Sequence, residues 1–356
     1  MKLLITGICG FAGSVLARTL LEHRPGLHIT GIDNLSRKGS ETNVEPLRKL
    51  GMDVRIGDLR DAAVLATLPP ADFILDCAAN PSVLAGVDGT SSSLGVMEHN
   101  LYGTVNLLEL CKSWNAGFIL LSTSRVYSIA ELAALPLEEQ ATRFEVAARE
   151  ATCSAQGITE NFPTTPPLSL YGSSKLCSEL LTLEYGAAFG FPIWINRCGV
   201  LAGAGQFGKA DQGIFSYWIH SWKAGRPLRY IGFGGNGKQV RDCLHPRDLC
   251  SVLLRQMDEP SRPGPRIHHL SGGAANSMSL SELSDWCERR FSSLPSPVIK
   301  ENQPQTRPFD IAWLVLDSAR AAESFHWQPQ TPVAETLEEI ARHAEANPQW
   351  LDLVAG

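Results

Sequence analysis

Near its start the sequence reads Lys2-Leu3-Leu4-Ile5-Thr6-Gly7-Ile8-Cys9-Gly10-Phe11-Ala12-Gly13, and a helical pattern then continues to Glu22. An apolar run, a glycine loop and a helix in that order form a turn that suits a phosphate. Gly7 permits the tight turn, Gly10 removes a side chain where a pyrophosphate must reach the backbone, and Gly13 lets the helix pack closely on the strand. The helix N-terminus offers unbonded N–H groups and the positive end of its dipole to the anion.

Further along, short apolar runs recur at 29–32, 54–56, 73–75, 118–121 and 193–195, and helical patterns near 43–50, 61–67, 96–113 and 172–187 lie between them. Apolar strands alternating with helices predict parallel βαβ units. The expected fold class is therefore α/β, a doubly wound parallel sheet of the Rossmann kind. After Asn196 the alternation is lost and Gly and Pro become more frequent. The expected division is a cofactor-binding domain over 1–196, with 240–257 returning to it, and a smaller, mainly substrate-binding cap over 197–356. The stretch 128–169 carries acidic residues and prolines without an obvious strand. It is expected as a long, functional excursion.

Composition sets the outer limits. The chain has 356 residues, 44% hydrophobic and 19% charged, which suits a large core and excludes global disorder. Its net charge of −6 argues against a nucleic-acid binder, which usually presents a basic surface. No run approaches the roughly 20 apolar residues that cross a bilayer. Nine cysteines without a Cys-x-x-Cys pair read as reduced, mostly buried thiols of a cytoplasmic protein. The histidines show no metal-ligand spacing, so no metal is expected. Trp218 and Trp222, four residues apart, read as core or interface packing.

Asp33 ends the second apolar run, 20 residues after Gly13. A carboxylate there can accept both ribose hydroxyls of NAD and repels the 2′-phosphate of NADP. Arg37 and Lys38 are cations that could accept that phosphate; the expectation is NAD. Asp58-Leu59 follows the third run and is a candidate for the adenine edge, with helix capping as the alternative role of Asp58.

Tyr171-Gly172-Ser173-Ser174-Lys175 places a phenol and an ammonium four residues apart, on one helix face. A cation beside a phenol favours the phenolate, so Tyr171 is expected to titrate below its ordinary value of about 10. Such a phenolate can take a hydroxyl proton while a hydride leaves the same carbon. Thr123, in Leu121-Ser122-Thr123-Ser124-Arg125-Val126-Tyr127, adds a hydroxyl just past a strand end. Crevices of doubly wound sheets lie at that edge.

Taken together, the glycine loop, Asp33, Thr123 and the Tyr171/Lys175 pair resemble the extended short-chain dehydrogenase/reductases that modify nucleotide sugars, over essentially the whole chain. The resemblance implies a catalytic set of Thr123, Tyr171 and Lys175. It implies cofactor contacts from Gly7, Cys9, Gly10, Phe11, Asp33, Asn34, Ser36 and Arg37, then from Asp58, Leu59, Ala78, Asn100, Tyr171, Lys175 and Cys198. Arg241-Asp242 and Arg307-Pro308-Phe309-Asp310 resemble that family's diphosphate clamp, with Arg241 and Arg307 on phosphates and Asp310 on the nucleotide ribose. Arginine suits phosphate because its planar fork bonds two oxygens at once.

Within the family, Asp33 to Gly39, Gln206-Phe207 with Asp211-Gln212-Gly213, and Gly235 to Asp242 resemble the CDP-sugar 2-epimerase branch. Gln206 and Gln212 join Thr123 as expected substrate contacts, and a CDP-sugar is the favoured substrate. The chain departs from that branch near the expected sugar pocket. Arg125 stands for a lysine, Ser128 for a glycine, Cys198-Gly199-Val200 for a His-Ser-Ser run, and Ala79-Asn80-Pro81-Ser82 for a Gly-Gln loop. By the same analogy the apolar helices 96–113 and 172–187 form a homodimer or homotetramer interface.

The expected activity is NAD-dependent epimerisation at C2 through a transient 2-keto sugar. A 4,6-dehydratase needs an acid and a base directly after the threonine, and this chain has Ser124-Arg125 there. A 4-epimerase uses the same Thr, Tyr, Lys and NAD, and stands as the alternative. A non-catalytic NAD-binding regulator has no need of the three side chains together.

Overall fold

The computed structural model describes residues 1–355 apart from positions 88, 90, 91, 149, 210, 211, 295–299 and 308. Asp211 and Pro308, parts of two of the motifs above, lie outside the described residues. Seven parallel strands form the main sheet: β1 (Lys2–Thr6), β2 (His28–Asp33), β3 (Asp53–Ile56), β4 (Phe73–Asp76), β5 (Gly117–Thr123), β6 (Ile193–Cys198) and β7 (Ile267–Leu270). Their order is β7-β6-β5-β4-β1-β2-β3. The order reverses between β1 and β4, paired from Leu3↔Phe73 to Thr6↔Asp76, and a crevice opens beyond that switch point.

The six apolar runs are the first six strands. β7 comes from the region expected to belong to the cap. It pairs with β6 from Ile195↔Ile267 to Cys198↔Leu270. In the excursion 128–169, expected without strands, Leu137–Glu139 pairs with Phe144–Val146, and Cys153–Ser154 pairs with Gly157–Ile158.

Helices cover both sheet faces. On one, α1 (Phe11–His23) buries Leu16, Ala17 and Leu20 in a core shared with Val252, Leu253 and Met257 from the 250–258 helix. On the other, α2 (Gly103–Trp114) and α3 (Leu170–Phe189) pack over Phe118, Leu120, Ile193 and Ile195. α3 starts where the Ser169 hydroxyl accepts the Gly172 N–H at 3.0 Å, and ends at Gly190 in the left-handed region. The pattern 96–113 contains a wide π-type turn, Glu98–Tyr102, before α2. Asn100 lies in that turn and bonds out of the helix, to Asn80 and Ser174.

Helices of the C-terminal half build a second core. In α4 (Ile214–Lys223), Trp218 and Trp222 are buried with Phe215 and Ile219 against Leu337 and Ile340 of α5 (Val333–Ala346). Trp218 stacks on Tyr230 at 5.5 Å and donates its Nε1 proton to Ser284 at 3.0 Å, so the large indole is satisfied as well as packed.

Candidate active site

A cavity of about 620 Å³ opens at the switch point. Its floor is the glycine loop. A Cβ on Gly13 would stand 2.2 Å from the Gly7 carbonyl oxygen, and one on Gly7 would stand 2.9 Å from Ala78 Cα. Gly7 also has φ of +60°, which side chains rarely adopt. Only a loop without side chains leaves this cradle open, so the residues present fit the pyrophosphate of a dinucleotide.

Asp33 lines the cavity, and its carboxylate is fixed from both sides. Leu35 N–H donates to one oxygen at 2.8 Å and Cys9 N–H to the other at 2.9 Å. Burial raises its carboxyl above the ordinary value, and those backbone donors oppose the rise. Asn34, Ser36, Arg37, Leu59 and Ala78 line the same wall. Asp58 lines it too, held by Arg60 at 2.8 and 2.9 Å and by Asn34 at 3.0 Å, contacts that keep its carboxyl well below the usual range. The two cations that could have favoured a 2′-phosphate are engaged elsewhere. Arg37 donates to the Phe207 carbonyl, and Lys38 to the Ala355 carbonyl at 2.5 Å. The helix Trp350–Val354 lies at this rim, with Trp350 stacked on Phe207 at 5.7 Å and bonded to the Gln206 carbonyl at 3.0 Å.

Across the cavity stand Thr123 at the end of β5, Tyr171 in the first turn of α3 and Cys198 at the end of β6, with Gln206 and Gln212 beyond them. The Thr123 hydroxyl accepts the Arg125 N–H at 3.2 Å and hydrogen-bonds the Tyr171 phenol. Burial pushes the Cys198 thiol up to about 12, which keeps it neutral.

Several expected contacts fall outside the cavity lining. Cys9 is buried, and it is its backbone N–H that holds Asp33. Asn100, 2% exposed, pins the Asn80 loop to α3 from behind. Lys175, also 2% exposed, is enclosed one turn below Tyr171. The Tyr171 phenol does not sit below its ordinary value as expected. Burial raises the phenol above its ordinary value, against the Thr123 hydrogen bond and the charge of Arg125. The Lys175 charge lowers the Cys77 and Cys198 thiols, against the larger effect of their burial.

Arg241, Arg307 and Asp310 form a cluster beside the cavity. Arg307 pairs with Asp310 at 3.0 Å, and Arg241 donates to the Val240 and Ile311 carbonyls at 2.7 Å. Arg125, which does line the cavity, donates to the Phe309 carbonyl at 3.3 Å and feels the charges of both Arg307 and Asp310. Three guanidinium groups thus face the carboxylates of Asp310 and Asp242, a net positive site. The sequence marked Arg125 only as a departure; its place two residues past Thr123 was the signal for a cavity residue.

Among the described residues no helix is long and apolar enough to cross a membrane.

Comparison with known proteins adds independent information. The profile of the NAD dependent epimerase/dehydratase family matches residues 3–269. CDP-paratose 2-epimerase from Salmonella typhi is 30% identical, over 96% of this chain and 98% of that one. UDP-glucose 4-epimerase from Corynebacterium glutamicum is 25% identical, over 96% of this chain and 94% of that one. Among solved structures, a UDP-glucuronic acid 4-epimerase from Bacillus cereus, in complex with UDP-glucuronic acid and NAD, gives a TM-score of 0.78 at 23% identity, covering 97% of this chain and 99% of that chain.

Proposed function

The chain belongs to the NAD dependent epimerase/dehydratase family, and from that premise we propose that it inverts C2 of a CDP-linked sugar through a transient 2-keto sugar. The observation that carries the reading is that one cavity sets a dinucleotide cradle opposite the hydrogen-bonded pair Thr123 and Tyr171. When bound in that cradle, NAD supplies reversible hydride acceptance at the sugar carbon. Tyr171 takes the C2 hydroxyl proton as the C–H electrons leave, and gives it back when the carbonyl, turned over, is reduced from its other face. Thr123 holds the reacting oxygen close to the phenol. Lys175 supports the helix turn and the nicotinamide ribose, and Asp33 accepts from the adenosine ribose.

The net positive cluster of Arg125, Arg241 and Arg307 suits a diphosphate, and Asp310 the nucleotide ribose. Gln206 and Gln212 border the sugar. The CDP preference and the choice of C2 draw on likeness to the Salmonella typhi protein. All nine cysteines are free, which suits the reducing cytoplasm. Tyr102 and Leu180 are more than half exposed on the helical segments expected to self-associate, which supports a homodimer or homotetramer.

The test is a panel of CDP-, UDP-, GDP- and dTDP-sugars incubated with the protein in deuterated water and followed by NMR. Inversion at C2 without deuterium at that carbon is the expected result. Deuterium incorporation would replace hydride return by a deprotonation route. Inversion at C4 would favour the 4-epimerase reading, and reaction of a UDP-sugar alone would remove the CDP assignment.

A further inference from the structure

Of Arg125, Arg241 and Arg307, Arg125 is the one that lines the cavity. Geometry places both of its ends. Its backbone N–H donates to the Thr123 hydroxyl at 3.2 Å. Its carbonyl oxygen stands 2.2 Å from where a Cβ on Gly172 would lie, so this turn packs directly on the first turn of α3, which carries Tyr171. Its guanidinium donates to the Phe309 carbonyl at 3.3 Å, in the loop that runs from Arg307 to Asp310. The other two guanidinium groups are more heavily engaged. Arg307 gives two donors to Asp310, at 3.0 and 3.2 Å, and Arg241 gives two to the Val240 and Ile311 carbonyls at 2.7 Å. Arg125 gives a single long bond, and among the described residues it makes no ion pair. Most of its N–H donors therefore stand ready for an anion that enters the cavity.

We propose that Arg125 binds the sugar-linked phosphate of the nucleotide diphosphate, and that this contact selects the sugar carbon that reacts. The proposal rests on the reading of the cavity as a nucleotide-sugar site with Tyr171 as the base. In a nucleoside diphosphate sugar the distal phosphate is bonded to the anomeric carbon C1. C2 is bonded to C1, whereas C4 lies across the ring. The Arg125 backbone is fixed to Thr123 and to the start of α3, so a phosphate gripped by its guanidinium is tethered to the reacting pair by one residue. A phosphate held there brings the anomeric end of the sugar toward Thr123 and Tyr171, and the carbon that meets the phenol is C2. A 4-epimerase needs the opposite arrangement, with the diphosphate kept away from the reacting hydroxyl by the breadth of the ring. Arg241 and Arg307, outside the cavity lining and beside Asp310, suit the phosphate nearer the nucleoside. The choice of C2 then has a physical cause within this chain.

The test is calorimetric binding of CDP and of CMP to the NAD-loaded protein, set beside the NMR panel. CDP presents both phosphates, and CMP only the one next to the nucleoside. Arg125→Gln should weaken CDP about tenfold to a hundredfold, the loss of a charged hydrogen bond, and CMP by less than about threefold. Arg125→Lys, which keeps the charge, should recover part of the CDP affinity, and NAD content should stay the same in both variants. Equal losses for CDP and CMP, or no loss of either, would overturn the phosphate contact. Inversion at C4 by the unaltered protein would overturn the selection of C2, and with it the activity proposed above, while the CDP-to-CMP ratio still decides the contact. If only a UDP-sugar reacts, UDP and UMP make the same comparison. Arg125→Met, which keeps the alkyl stem, replaces Gln if that variant does not fold.

Discussion

The Ser122 hydroxyl donates to the Glu179 carboxylate at 2.5 Å, joining the end of β5 to α3 two turns beyond Tyr171. Glu179 also grips Arg197 of β6 at 2.6 Å, and Arg197 donates to the Tyr127 hydroxyl at 2.9 Å. The pair is buried, at 1% and 5% side-chain exposure. This network lies directly behind the wall that carries Thr123 and Tyr171.

Removing one partner of such a pair strands the other charge. Glu179→Ala should therefore cost about 3–5 kcal/mol of stability. Urea unfolding measures it; a loss below about 1 kcal/mol would mean that Arg197 finds another partner.

Tyr171→Phe should abolish turnover and leave nucleotide-sugar affinity nearly intact, because it removes the base and keeps the ring. Thr123→Val should cost less, about tenfold to a hundredfold in kcat, as one hydrogen bond to the reacting oxygen is lost. Steady-state kinetics and calorimetric binding together check both; a Tyr171→Phe variant with near-normal kcat excludes the assigned role.

Asp33→Ala should weaken NAD binding roughly tenfold, since the ribose loses its acceptor and Cys9 and Leu35 N–H groups lose theirs. Binding of NADP should gain relative to NAD. Tighter NADP than NAD binding by the unaltered protein would contradict the role given to Asp33.

His268 is wholly buried between Trp194 and Phe325, and among the described residues neither ring nitrogen has a hydrogen-bond partner. Burial, together with Arg320, Arg266 and Arg262, pushes its pKa down to about 4. The unfolded chain, with an ordinary histidine, binds the proton first. Stability is therefore full above about pH 6.5 and falls as pH drops toward the folded value, by about 2 kcal/mol at pH 5 for this one group. His268→Phe should remove that part of the loss, seen as a shallower drop in urea midpoint between pH 7 and 5. An equal drop in both proteins would assign the acid sensitivity elsewhere.

The same histidine explains what the sequence concealed. The strands β1, β4, β5 and β6 were legible because parallel strands buried on both faces read as unbroken apolar runs. β7 reads Ile267-His268-His269-Leu270, and its two histidines interrupt that signal although both are fully buried. His269 is accommodated by polar partners, the Tyr127 hydroxyl and the Asp317 carbonyl, that come from distant parts of the chain. The glycine cradle and Asp33 were legible because their geometry is local. Spacing put Tyr171 and Lys175 on one helix, but the Thr123 hydroxyl that hydrogen-bonds the phenol stands at the end of β5, far back in the chain. No periodicity reports such a meeting. The arginine cluster was reached by likeness alone, since Arg241 and Arg307 are brought together only by the fold.

The rim formed by Lys38, Phe207 and the helix Trp350–Val354 bears on economy of turnover. An epimerisation is redox-neutral, so each cycle returns its cofactor in the starting oxidation state and gains nothing from exchange with the medium. Three stretches far apart in sequence meet over the adenosine end of the crevice, with Val354 close enough to Gly39 that an added Cβ there would touch it at 2.9 Å. Loosening that seam by Trp350→Ala should lower the NAD content of the purified protein and make its rate depend on added NAD.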